Sequence, residues 1–305
     1  EYLCKFDAEQ VDSGICQQPK FSQIIELEKT YSISNMEEEA DNTYLAYNWS
    51  VGDVLDENLS AAMSIVEYVL LEAPGAPLKQ ALLDAEVGKD VEGSYDSGVR
   101  QPYFSVIVKN SNPEQKEEFV KIIRTVLEEQ AEKGLEERTL LAGINNLEFK
   151  LREADFGHFP KGLMYGIDAF DSWLYDEKEP FLYLKQIQSC AFLKSKLGTG
   201  YYEELIRKYL LDNTHASLIV MKPEKGLTAK EEERVKEKIA AYKASLTEEE
   251  IQKMIEKTRK LRAFQETPST KEELEKIPLL KLSDIRREIQ PLQNQPIDVD
   301  GTLLL

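Results

Sequence analysis

The sequence predicts an α+β fold, a sheet with helices packed on one face, followed by a helical hairpin. Apolar and polar residues alternate over residues 21–33 and 43–51, as they do in half-buried strands. Over residues 56–74 the apolar residues recur at spacings of three and four, which is the pattern of an amphipathic helix. After Pro223 two charged segments carry narrow apolar stripes, which predicts two further helices. These patterns together indicate a layered domain joined to a separate helical segment.

The two alternating segments each place apolar side chains at every second position, so we expect one side of each strand to be buried. In the first segment these residues are Ile25, Leu27, Tyr31 and Ile33, and in the second they are Leu45, Tyr47, Trp49 and Val51. A short helix is predicted from residue 77 to about residue 86, because proline is favoured in a first helical turn. Extended chain with three glycines follows, and then a strand with Phe104, Val106 and Val108 on one face.

A third helix of the domain is predicted to begin at Asn112 and Pro113. The Asn112 side chain is expected to cap this helix, and Gly134 is expected to end it because glycine adopts the left-handed C-terminal conformation. The next helix should run from residue 135 to about residue 153. Residues 157–211 predict three or four shorter helices, interrupted at Pro160, Pro180 and Gly198. The domain then closes with an apolar strand over residues 216–221 that ends at Pro223.

Residues 224–266 are predicted to form a helical hairpin, packed on itself and on something else. The spacing Thr-x-x-Glu at Thr228 with Glu231 and at Thr247 with Glu250 predicts two capped helix starts. The apolar stripes comprise Val235, Ile239, Tyr242 and Leu246 on the first helix, and Ile251, Met254, Ile255 and Leu261 on the second. Residues 267–305 begin with Thr267-Pro268, contain three further prolines and show one short helix around residues 272–276, which is typical of a connector. The predicted boundaries are therefore 1–223, 224–266 and 267–305.

Composition and charge exclude several classes of function. The 305 residues carry 38 Lys and Arg against 56 Asp and Glu, a net charge of −18. Residues 1–223 hold 22 basic and 39 acidic side chains, so the acidity lies there and argues against nucleic-acid and membrane partners. No apolar run is long enough to span a bilayer. Three cysteines, Cys4, Cys16 and Cys190, form no disulfide framework, which indicates a reducing compartment and predicts a cytoplasmic protein.

The residues predict no catalytic and no metal-binding site, and they leave the substrate-binding residues unassigned. A zinc hydrolase needs histidines one helical turn apart plus a further ligand, and His158 and His215 lie in no such motif. A group of carboxylates could gather at one helix end, but a solvated acidic face is the simpler interpretation of it. This group comprises Asp168, Asp171, Asp176, Glu177 and Glu179.

Several stretches closely resemble the second domain of presequence-protease-like enzymes, in the pitrilysin and insulinase group of zinc metallopeptidases. The most informative are residues 146–153 (NLEFKLRE), 157–163 (GHFPKGL), 173–175 (WLY), 213–215 (NTH) and 221–223 (MKP). Residues 76–82 (APLKQAL) and 100–104 (RQPYF) are similar upstream, and residues 276–284 (KIPLLKLSD) are similar to the segment that leads into the second half of such enzymes. The resemblance covers essentially the whole chain, and the order and spacing of the stretches make it specific.

The resemblance implies a fold of two bowls that are joined by a helical hairpin and enclose a chamber for unfolded peptides. It also implies that zinc is held by an inverted histidine motif in a first domain, which this sequence lacks, so no catalytic residue is carried over. The chain is then the non-catalytic domain, hinge and connector of a larger enzyme, with the rest of the polypeptide and peptide substrates as partners. Its abrupt ends agree with an excised piece. The alternatives are a metal-free homologue that binds peptides or aids assembly and, more distantly, an independent hydrolase that uses His158 or His215.

Overall fold

The structure of the protein is a computed structural model that describes residues 2–9, 11–285, 288, 297–299 and 302–304. The chain divides into two units, residues 1–233 and residues 234–305. The first unit contains a five-stranded sheet and a layer of helices, so the predicted α+β class is confirmed. Among the helices of the described residues, none is long and apolar enough to cross a membrane.

The sheet of the first unit has strands of both directions. Its strands are β1 (Ile25–Ile33), β2 (Thr43–Ser50), β3 (Asp90–Asp96), β4 (Tyr103–Ser111) and β5 (Ala216–Lys225). Across the sheet they lie in the order β1-β5-β2-β4-β3. β1 is parallel to β5, and all other neighbours are antiparallel. The last strand in sequence therefore lies inside the sheet, between two strands from the beginning of the chain.

The alternation along β2 is confirmed and sets the buried face of the sheet. Leu45, Tyr47 and Trp49 are buried, while the residues between them are partly exposed. The register aligns these three residues with buried residues on both sides, Val220, Leu218 and Ala216 of β5 and Val108, Val106 and Phe104 of β4. The Trp49 ring stacks on Tyr47 at 4.0 Å and meets Phe104 edge-on at 6.1 Å. One face of the sheet is thus a continuous apolar layer.

The apolar side chains of β1 lie on the face opposite to this layer. Parallel pairing aligns Glu26 and Glu28 with Leu218 and Val220, so the carboxylates lie on the helix side. Glu26 there binds Lys116 at 2.5 Å. The expectation that one side of β1 is buried is wrong for Leu27, which is 41% exposed, because the parallel register and not the alternation decides which face points inward.

Two features of the strands differ from the prediction. The glycine-punctuated segment before β4 is itself the edge strand β3, in which Gly93 allows close packing, since an added Cβ would lie 2.3 Å from Leu71 Cδ1. The predicted end of β5 at Pro223 is wrong, because the strand continues to Lys225. Pairing with β2 ends at Met221, so the missing N–H of Pro223 lies where only β1 adjoins the strand.

The described part of the first unit contains seven α-helices. They are α1 (Glu57–Glu67), α2 (Pro77–Asp84), α3 (Lys116–Lys133), α4 (Glu137–Glu153), α5 (Lys161–Trp173), α6 (Ile187–Ser195) and α7 (Tyr201–Ile206). α1 and α7 each continue into a π-helical segment, Tyr68–Glu72 and Arg207–Leu211. Buried residues of all of these helices except α5 share one hydrophobic cluster with the sheet. The three helices α5 to α7 confirm the predicted number for residues 157–211.

The start of α3 differs from the prediction, whereas its end agrees. A 3-10 turn, Pro113–Gln115, precedes the helix, and the Asn112 side chain does not cap it. Asn112 instead donates through Nδ2 to Asp41 Oδ1 at 2.7 Å and accepts the Asp41 N–H at 2.9 Å, which ties it to the loop after β1. Gly134, at φ 87°, ends the helix as predicted.

The hairpin helices are α8 (Leu227–Ser245) and α9 (Glu248–Glu266). A helix starts within one residue of the predicted position, at Leu227, and the Thr228 hydroxyl donates to Ser32 Oγ at 2.5 Å. The predicted capping box of Thr247 and Glu250 is confirmed at the start of α9. A short helix, α10 (Lys271–Leu274), and a two-stranded hairpin of β6 (Ile297–Val299) and β7 (Thr302–Leu304) follow. Pro291 and Pro296 of the predicted connector lie outside the described residues.

Hydrogen exchange of the isolated chain should be at least about tenfold faster in α8 and α9 than in α3. The reason is that α3 buries Phe119, Ile123 and Leu127, whereas no residue of α8 or α9 is buried. Mass-spectrometric detection of deuterium uptake checks this. Equal protection in the three helices would mean that the hairpin is anchored as firmly as the core of the first unit.

Candidate peptide-contact surface

The two histidines lie in separate environments that offer no metal site. His158 is exposed in the loop between α4 and α5. His215 precedes β5, and its ring meets Phe21 edge-on at 4.6 Å. Burial, with a smaller contribution from Lys20, lowers the pKa of His215. Within the described part of the chain, no group of three or more His, Cys, Asp or Glu side chains is arranged to hold a metal ion.

The three cysteines are free thiols. Cys4 and Cys16 are exposed near the start of the chain, and Cys190 is buried in α6. Burial raises the pKa of the Cys190 thiol, which disfavours the nucleophilic thiolate. Cys190 therefore acts as a small apolar residue of the core, where it belongs to the main hydrophobic cluster.

The five carboxylates singled out in the sequence divide into two groups. Asp168 and Asp171 lie on α5, and Asp171 faces the connection from β3 to β4, since a Cβ added at Gly98 would lie 4.0 Å from its Oδ1. Burial raises the pKa of Asp168. It also raises the pKa of Asp171 to about 6, with additional repulsion from Asp168 and Asp96. Two acidic side chains of α5 thus approach a third from the sheet.

The remaining carboxylates belong to the turn that follows α5. Asp176 Oδ1 accepts the backbone N–H of Lys178 at 2.9 Å, which closes that turn. The Ser172 hydroxyl donates to the backbone carbonyl of Glu179 at 2.6 Å. Glu177 and Glu179 have exposed side chains. These three acidic residues shape a loop, so the five carboxylates do not form one cluster.

Asp96 was not identified from the sequence. Its carboxylate accepts the Gly98 N–H at 2.9 Å and the Tyr103 hydroxyl at 2.9 Å, and it thereby holds the turn between β3 and β4. The Asp-x-Gly spacing is a local signal for this turn. Asp171 of α5 and Asp96 of this turn are about seventy residues apart in the sequence. No local sequence pattern predicts that they lie close together in the fold.

The exposed side of α5 is apolar, and we refer to its five large side chains as the α5 apolar face. Each of them is about half exposed, between 49% and 55%: Leu163, Ile167, Phe170, Trp173 and Leu174. Phe170 and Trp173 stack with ring centroids 5.7 Å apart. Ser172, which is buried, lies on the opposite side of the helix from Leu163 at 3.6 residues per turn. The polar side of α5 therefore faces the domain, and the apolar side faces outward.

Polar contacts fix the end of α5 against the end of the sheet. Arg100 donates from Nε to Asp53 Oδ2 at 3.1 Å and from Nη1 to the Tyr175 carbonyl at 3.3 Å. The Tyr175 ring lies 5.6 Å from the Arg100 guanidinium. Tyr183, after α5, donates its hydroxyl to the Val54 carbonyl at 2.8 Å. These bonds hold the outward orientation of α5 by contacts to residues distant in sequence.

The α5 apolar face has the chemistry of a binding surface. Five adjacent large apolar side chains form an exposed patch of the kind that soluble proteins reserve for partners. Asp168 and Asp171 lie on the side of α5 that is turned toward the domain, so the outward surface is apolar and not acidic. The arrangement can bind apolar groups of a partner.

Comparisons with known proteins identify relatives over the whole chain. Residues 2–147 match the family model described as the Peptidase M16 inactive domain, and residues 221–305 match the model described as Peptidase M16C associated. Protein HypA of Clostridium perfringens is 37% identical over 100% of this chain, which covers 31% of that protein. Presequence protease 1, chloroplastic/mitochondrial, of Arabidopsis thaliana is 29% identical over 100% of this chain, which covers 29% of that protein. The chain thus spans about a third of the length of these relatives.

A solved structure has the same fold as part of the chain. The inactive peptidase domain from Bordetella parapertussis superposes with a TM-score of 0.50 at 11% identity. The superposition covers 60% of this chain and 91% of that one. At this level of identity the likeness concerns the fold alone.

The substitution Asp171→Asn should stabilise the chain at pH 7 by up to about 1 kcal/mol, a modest gain because solvent screens a half-buried carboxylate. The folded chain keeps the Asp171 proton up to about pH 6, whereas the unfolded chain releases it near 3.8. Stability therefore falls as pH rises through this window, and Asn removes that loss. Denaturant unfolding at pH 4 and pH 7 checks it, with Glu177→Gln as the exposed control. A gain that is as large at pH 4 as at pH 7 would contradict the account.

The isolated chain should bind no stoichiometric zinc. The reason is that, among the residues that the structure describes, His158 and His215 belong to no group of three potential metal ligands. Elemental analysis after dialysis against micromolar zinc measures this. About one tightly held zinc per chain, lost in His158→Ala or His215→Ala, would be the opposite outcome.

Proposed function

The chain belongs to the M16 peptidase family, as a presequence-protease-like member of its pitrilysin and insulinase group, and we propose that it is the non-catalytic wall and hinge of a zinc metalloendopeptidase. In this proposal the full-length enzyme degrades unfolded peptides in an enclosed chamber. Residues 1–223 form part of the wall, residues 224–266 form the hinge, and residues 267–305 connect to the second half. The match of residues 2–147 to an inactive peptidase domain supports the non-catalytic assignment.

The outward orientation of the α5 apolar face is the observation that supports a peptide-binding wall. Leu163, Phe170 and Trp173 are each about half exposed, and hydrogen bonds of Arg100 and Tyr183 fix the position of α5. An unfolded peptide offers apolar side chains. Burying them on such a surface lowers the free energy by roughly 25 cal/mol per Å² of apolar surface removed from water. A rigid surface of this kind binds many sequences, because contact with apolar groups requires no particular hydrogen-bond pattern.

Zinc in the proposed enzyme lies in a part of the polypeptide outside this chain. The described residues do not fit a zinc site, since His158 is exposed in a loop and His215 packs on Phe21. What this chain contributes is the holding of substrate. The outward side chains of α5 exclude water from bound apolar groups. The partners in this proposal are the remaining domains of the same polypeptide and the peptide itself.

We place the full-length protein in the cytoplasm on the basis of its cysteines. Cys4 and Cys16 are exposed free thiols, which persist in a reducing compartment. The Arabidopsis relative, by contrast, is named for the chloroplast and the mitochondrion.

The test uses the full-length enzyme with the double substitution Phe170→Ser and Leu174→Ser. The KM for a long unfolded peptide should rise about tenfold or more, since each lost apolar contact costs roughly 1 kcal/mol. The kcat and the zinc content should stay unchanged, because uniform binding energy is lost and no chemical step is altered. Met36→Ser is the control, since Met36 is a 95% exposed apolar residue outside the α5 apolar face.

An unchanged KM in the double variant would remove the peptide-binding role from α5. A full-length protein that holds no zinc and cleaves no peptide, yet binds peptides through α5, would instead identify the metal-free homologue as the correct alternative.

A further inference from the structure

Among the described residues, a groove between α8 and α9 is a further apolar surface. It encloses a cavity of about 500 Å³ within the second unit. Its apolar lining comes from both helices: Ile239, Tyr242, Leu246, Ile251, Met254 and Ile255. Four of these side chains are between 39% and 59% exposed. Apolar side chains gathered in a groove, with no buried residue on either helix, indicate a surface that a partner covers.

The rim of the groove is basic. Lys243, Arg259 and Arg262 line it, and no acidic side chain does. Within the described part of the chain, no ion pair to a carboxylate involves any of these three residues. Three acidic side chains of α9 are engaged outside the groove: Glu250 caps the start of the helix, Glu249 binds Lys253 at 2.7 Å, and Glu256 binds Lys260 at 2.8 Å. The positive charge at the rim is therefore available to an external partner.

The groove has the shape of a helix-binding surface. On α9 the lining residues follow helical spacing from Ile251 to Arg262, over about three turns of roughly 5.4 Å each. A partner helix packs its side chains into such a row and presents apolar residues at spacings of three and four. Because the rim is basic, the polar edges of that helix should be acidic.

We propose that this groove binds an acidic amphipathic helix from the part of the full-length polypeptide that lies outside this chain. The proposal rests on the proposed hinge function, since a hinge must contact the parts that it joins. This chain covers 31% and 29% of two relatives, so most of a full-length polypeptide of that size remains to supply the helix. Attachment to the same chain raises the effective concentration of the helix, so a groove of only three turns is long enough for stable binding.

The first experiment identifies the occupant by photo-crosslinking. A photoreactive amino acid replaces Met254 in the full-length protein, and mass spectrometry locates the crosslinked peptide. The expected product is an intramolecular crosslink to an acidic helical segment outside residues 1–305. A crosslink to a second copy, to an added substrate peptide, to lipid from anionic vesicles, or to no segment at all would overturn the proposal.

The second experiment tests the charges at the rim. In the full-length protein the double substitution Arg259→Glu and Arg262→Glu should increase hydrogen exchange in α8 and α9 at least tenfold. The matched control Lys238→Glu and Lys257→Glu makes the same change in net charge on the hairpin, at exposed positions outside the groove, and should leave exchange nearly unchanged. Equal effects of the two variants would contradict the proposal.

Different results would contradict the assignment of the groove and the proposed peptidase function. If the rim variant changes nothing while the enzyme holds zinc and cleaves peptides, only the assignment of the groove is wrong. If the full-length protein has no zinc-dependent peptidase activity, the proposed function is wrong, and the crosslink still reports what occupies the groove.

Discussion

The fold depends on burying one face of the sheet along its middle strand, β2. Leu45, Tyr47 and Trp49 lie on that face, and each aligns with a buried residue of β4 on one side and of β5 on the other. A slip of one residue in either register would turn all three side chains toward solvent, so the register is strongly specified. Among the described residues, the helices cover this layer. Apolar residues outside it, such as Leu27 of β1 and Phe170 of α5, remain at the surface.

The surfaces left uncovered by this arrangement explain the proposed role. In a domain that binds no partner, the outer side of a surface helix is normally polar. In α5, Phe170 and Trp173 point outward and Ser172 points inward. The same inversion occurs in α8 and α9, whose apolar stripes line an open groove with a basic rim. Each surface consists of regular helix with large apolar side chains that are partly exposed. A peptide at the first and a helix of the same polypeptide at the second would satisfy both.

Local patterns predicted those parts of the structure in which short-range geometry decides. Alternation identified β2, the Thr247 and Glu250 pair identified the start of α9, and Gly134 identified the end of α3. The parts that depend on distant contacts were missed. Asn112 bonds to Asp41 instead of its own helix, and the parallel partner of β1 reverses the face on which Leu27 lies. The spacing on α5 predicts a helix, but whether its apolar side points inward depends on Arg100 and Tyr183.

The most direct test of the central claim maps where a peptide touches this chain in the full-length enzyme. Zinc is removed with a chelator so that the peptide stays intact, and an unfolded peptide carrying a photoreactive side chain is crosslinked and located by mass spectrometry. The account predicts crosslinks concentrated on α5, at Phe170, Trp173 and Leu174. Crosslinks elsewhere in residues 1–223 with none on α5, in an enzyme that degrades the same peptide when zinc is restored, would contradict it.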